Sequence, residues 1–72
     1  MESIIMTRSV CILKEEDWFV AQDVISGIAS QGKTVPESLE NLREALILYY
    51  QDSSLAEPAE QEVYFTTIEV PV

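Results

Sequence analysis

The chain has 72 residues, with thirteen acidic side chains against four basic ones and a formal net charge of −9. That length allows one small domain, burying only about 60% of the surface its unfolded chain exposes. The charge disfavours nucleic acid, nucleotides and anionic membranes and attracts basic proteins. An apolar content of 47% belongs to a folded chain rather than a disordered one. A single cysteine, Cys11, and no histidine exclude an intramolecular disulfide and leave no ordinary zinc ligand set. Cys11 sits in an apolar run and reads as a small buried side chain. No apolar run reaches membrane-spanning length and no leader pattern opens the chain, so a soluble, cytoplasmic protein is expected.

Residues 4–14, IIMTRSVCILK, are rich in β-branched types and read as a first strand. The polar turn Glu15, Glu16, Asp17 joins it to a second strand, WFVAQ at 18–22, which makes a hairpin. Residues 23–26 lead through Gly27 into a third short strand, Ile28 to Gln31. Gly32 then offers the positive φ that a sharp exit would use.

Thr34 and Glu37 have capping-box spacing, each side chain placed to accept from the other's backbone N–H. Pro36 falls in the first turn, where a missing donor costs nothing. Val35, Leu39, Leu42, Leu46 and Tyr49 follow as one apolar stripe. Ile47 and Leu48 fall off that stripe, so either a partner chain or the following loop is expected to cover them. Residues 51–61 read as a polar loop, and EVYFTTIEV at 62–70 as a last strand closed by Pro71. The expected fold is α+β, order β-β-β-α-β, a small mixed sheet with one helix on one face. If the last strand is parallel to its neighbour, the helix is the crossover.

The stretch GIASQGKT at 27–34 matches the phosphate-loop pattern G-x-x-x-x-G-K-T. Its context argues against a nucleotide site. Residues Ile28 to Gln31 are strand-like rather than loop-like, Thr34 is better used as a cap, and Pro36 removes a donor where phosphate would sit. The parallel sheet that such a loop requires also exceeds this length.

A different comparison fits residues 27–50 better. Gly27, Gln31, Gly32, Thr34 and Glu37 form a Gly-x-x-x-Gln-Gly-x-Thr-x-x-Glu stretch, followed by Leu39, Leu42, Glu44, Ala45, Leu46 and Tyr49 and preceded by Asp23. This resembles the HicB-like antitoxin family, and the hairpin LKEEDWFVAQD extends the likeness from about Met6 to Val70. The fold signature is Gly27, Gln31, Gly32, Thr34, Glu37 and Leu42. Ser26, Lys33 and Ser38 replace a common proline, acid and alanine of that family.

The resemblance implies a truncated ribonuclease-H-like domain spanning 1–72, without the DNA-binding segment that many members carry after it. It further implies an antitoxin that neutralises a small, basic, RNA-cleaving toxin by direct binding, while the acidic charge leads us to expect no direct nucleic-acid binding and no membrane contact. The alternative is a stand-alone domain of this type with another protein partner or a structural oligomeric role. No catalytic, metal or cofactor residues are expected. The first strand holds no acid, and Glu44 and Glu69 are too scattered to build a two-metal site. The partner-binding expectation falls on Glu15, Glu16, Asp17 and Trp18, acids around an aromatic anchor. A homodimer or higher oligomer is expected because the chain is short and its helix end is apolar.

Overall fold

A computed structural model describes residues 7–51 and 61–72. Three strands come first, β1 (Val10–Glu15), β2 (Trp18–Asp23) and β3 (Ala29–Gly32), followed by the helix α1 (Val35–Tyr50). The strands form one antiparallel sheet in the order β1-β2-β3. The class is therefore α+β, in the order β-β-β-α.

The hairpin register pairs Val10 with Asp23, Ile12 with Ala21 and Glu15 with Trp18, leaving Glu16 and Asp17 as a two-residue loop. Glu16 takes a φ of 51° to close it. Two-residue hairpins call for left-handed backbone, which glycine and asparagine supply more cheaply than glutamate. Phe19 faces Gly32 and Ala21 faces Ser30 across the second ladder. Side chains alternate between the two faces, so Val10, Ile12, Phe19, Ala21, Asp23 and Gly32 share one face. That face carries the helix.

The helix lies across β2 and β3, and its approach is set by Gly32. A Cβ built there would stand 2.6 Å from Ser38 N and 2.9 Å from both the Glu37 carbonyl carbon and Cβ. Only glycine permits the first turn to come that close. The expected positive φ at Gly32 is not found. The left-handed glycine is Gly27, at φ 80° with open space around it. Gly32 is required by steric contact, and Gly27 by backbone conformation.

Close seating of the first turn shifts the buried stripe of the helix. Ser38 and Leu42 are its fully buried residues, whereas Leu39 and Tyr49, expected on the apolar stripe, are 38% and 43% exposed. Ser38 escapes penalty because its hydroxyl donates to the Val35 carbonyl at 2.8 Å. Burying Leu42 is worth about 2 kcal/mol, and among the described residues only Ala21 joins it as a fully buried apolar side chain. This core is small.

Other boundaries differ from expectation. The described part of the first strand begins at Val10, so Thr7 to Ser9 lie outside it, and residues 4–6 fall outside the described residues. β3 is displaced by one residue, to Ala29–Gly32. The expected last strand is not part of the sheet. Residues 61–72 form no ladder, and the described sheet is wholly antiparallel rather than mixed. β-Propensity shows that a segment suits a strand but supplies no edge to pair with. Most of the expected loop, residues 52–60, falls outside the described residues.

Candidate functional site: a bare sheet face and its acidic hairpin

The face of the sheet opposite the helix carries Cys11, Leu13, Trp18 and Val20, assigned by the same alternation that buries Ala21. Leu13 is 55% exposed and Trp18 39% exposed, while Cys11 is half-buried rather than enclosed. An apolar patch on one side of a sheet marks a contact surface more often than scattered apolar residues do.

The four residues expected to bind a partner lie together at one end of this face. Glu15 ends β1, Glu16 and Asp17 form the exposed loop, and Trp18 opens β2. Lys33 Nζ stands 5.7 Å from the centre of the Trp18 ring, a cation–π contact across the end of the sheet. Three exposed carboxylates thus stand beside this ring, with Lys33 against Trp18 and Lys14 Nζ 5.8 Å from the centre of the Phe19 ring.

The residues of the phosphate-loop pattern all have internal uses. Gly27 turns the β2–β3 connection, Gly32 admits the helix, and Thr34 Oγ1 accepts from the Glu37 N–H at 3.1 Å. The reciprocal half of the capping box differs from expectation. Glu37 Oε1 accepts from the Lys33 N–H at 3.3 Å, one residue upstream of the Thr34 N–H. Gln31 contributes its carbonyl, which accepts from the Asn41 side-chain amide at 2.9 Å and ties the helix to β3.

One polar constellation escaped the sequence reading. Asp23 is fully buried at the end of β2. Arg8 donates to it through Nε at 3.2 Å and Nη2 at 2.9 Å, a forked geometry that matches a carboxylate. The Ser26 backbone N–H donates to Oδ2 at 3.0 Å, and the Ser26 hydroxyl donates to the same oxygen. Burial opposes the carboxylate charge, yet the bonds from Arg8 and then Ser26 outweigh it and hold Asp23 down at about 2. The Arg8 guanidinium also lies 5.6 Å from the centre of the Tyr50 ring. The signal that was available is an aspartate at a strand end with a serine three residues on, a residue pair suited to local side-chain-to-backbone bonds. Its arginine partner lies fifteen residues away, beyond any local pattern.

Glu44 on the helix and Glu69 in the C-terminal segment are both exposed. Among the described residues no three His, Cys, Asp or Glu side chains gather as a metal-holding group. Among them, too, no helix is long and apolar enough to cross a membrane.

A family model described as "Family of unknown function (DUF7387)" matches residues 6–70. The chain belongs to that family. No curated protein and no solved structure matches it. The DUF7387 match covers the sheet, the helix and the C-terminal segment as far as Val70.

Proposed function

We propose that this domain is an antitoxin-like interaction module that binds a small, basic, RNA-cleaving protein in the cytoplasm and blocks its active face. The observation that carries the reading is the hairpin end, where Glu15, Glu16 and Asp17 stand exposed beside a half-exposed Trp18. Opposite charge steers a basic partner to such a surface, and an aromatic anchor supplies the desolvated contact. The overall charge of −9 acts in the same direction. The resemblance of residues 27–50 to HicB-like antitoxins supplies the class of partner. Asp23, the one buried carboxylate among the described residues, is taken up by Arg8 and Ser26, which gives it a structural part rather than a reactive one.

Purification of the tagged chain from its native host, followed by mass spectrometry, tests the proposal. The expected companion is a basic protein whose RNA cleavage stops when the chain is added back. Reversal of Glu15 and Glu16 to lysine then weakens inhibition, most strongly at low salt, because it acts on steering. Inhibition unchanged by that reversal removes the hairpin from the interface. Absence of any RNA-cleaving companion removes the antitoxin reading.

A further inference from the structure

We infer that Glu62–Val70 is a strand given to a second copy of this chain, pairing along the outer edge of that copy's β1, with the exchange reciprocal. The segment has the composition of a strand but no place in its own sheet. Tyr64 is 81% exposed, Phe65 64%, Ile68 82% and Val70 64%. A radius of gyration of 14.5 Å exceeds the about 11 Å expected for a compact chain of this length. Every residue of the segment except the half-buried Val63 is exposed.

An acceptor edge exists on the same molecule. Among the described residues no strand pairs with the outer side of β1, whose sequence Val-Cys-Ile-Leu is apolar. Exposed apolar edges of this kind are normally covered or paired. The opposite edge suits the role less well, because β3 is four residues long and one of its carbonyls accepts from Asn41. On the helix-bearing side, α1 lies over β2 and β3, which leaves Ile12 of β1 37% exposed. A strand laid beside β1 would bring one set of alternating side chains next to Ile12 and the other next to Leu13.

The occupant is a second copy because donor and acceptor are both complete in this chain and a two-fold exchange satisfies both at once. The four exposed side chains of the segment represent on the order of 500 Å². Two such segments, with the matching surface they cover, reach about 2,000 Å², the size of a stable interface. This inference does not rest on the antitoxin reading, and failure to find a toxin leaves it standing.

The test is light scattering coupled to size exclusion on the full chain at tens of micromolar, with Thr67→Pro as the variant. Proline removes a ladder donor in the middle of the segment while leaving the sheet and helix untouched. Wild type is expected at twice the chain mass and the variant at the chain mass, with equal far-ultraviolet helix signal. A monomeric wild type overturns the inference, as does a variant that keeps the doubled mass, which would place the contact elsewhere. Isotope-filtered NMR on mixed labelled and unlabelled chains is the second measurement. Contacts between residues 62–70 of one copy and Val10–Glu15 of the other support exchange, whereas contacts confined to one chain overturn it.

Discussion

Replacing Gly32 with alanine tests how the helix is seated. The new Cβ would stand 2.6 Å from Ser38 N, against an ordinary contact beginning at 3.4 Å, so the first helical turn must withdraw by most of an ångström. Both near atoms besides the Glu37 Cβ belong to the backbone, and no rotamer change relieves them. Overpacking of this kind costs about 1–3 kcal/mol. Removing a glycine from the unfolded chain returns about 0.4–1 kcal/mol, for a net loss of about 1–2 kcal/mol. In a domain of this size each kcal/mol moves Tm by about 4–8 °C, so a fall of about 5–15 °C is expected. Thermal melting followed by circular dichroism at the helix band measures it. The double variant Gly32→Ala with Ser38→Gly should not recover, because the obstruction is the backbone nitrogen rather than the serine side chain. A single variant melting within about a degree of wild type would refute the account of the helix–sheet contact.

Asp23 gives a pH prediction with a definite sign. Its folded value, about 2, lies below the ordinary 3.8, so its contribution is complete above about pH 4 and is lost as pH falls through 2. The contribution is on the order of 2 kcal/mol, and the stability of Asp23→Asn should be lower at pH 7 but flatter than wild type across that window. Chemical denaturation at stepped pH decides it, since parallel curves would show that the carboxylate is not held by Arg8 and Ser26. At the hairpin, Glu16→Asn should raise stability by about 1 kcal/mol by relieving a left-handed glutamate at φ 51°. An unchanged or lowered Tm would mean that the loop is not closed in that conformation.

Much of the fold is legible in local chemistry. The turn at Glu16 and Asp17 between two β-branched runs sets the hairpin, and Thr34, Pro36 and Glu37 mark the helix start within one residue. The buried position on the helix was not legible, because a serine at 38 gives no hydrophobic signal. Ser38 is inside only because Gly32 lets it in, and that is a fact about two elements rather than one. The same limit hid the Arg8–Asp23 pair. For the candidate site, the hairpin acids and Trp18 were legible as neighbours in sequence. Their continuation into Leu13 and Val20 needed the register of the sheet. Residues 62–70 show the boundary most plainly, since β-branched and aromatic residues announce a strand while saying nothing about whose edge it joins.

The guanidinium of Arg8 touches both the buried Asp23 carboxylate and the Tyr50 ring in the last turn of the helix. Fraying of that turn therefore uncovers the ion pair to water, and protonation of the carboxylate loosens the hold on the tyrosine. Acidification should therefore loosen the helix terminus through Arg8, and the backbone amide NMR signal of Tyr50 should move as Asp23 takes up its proton.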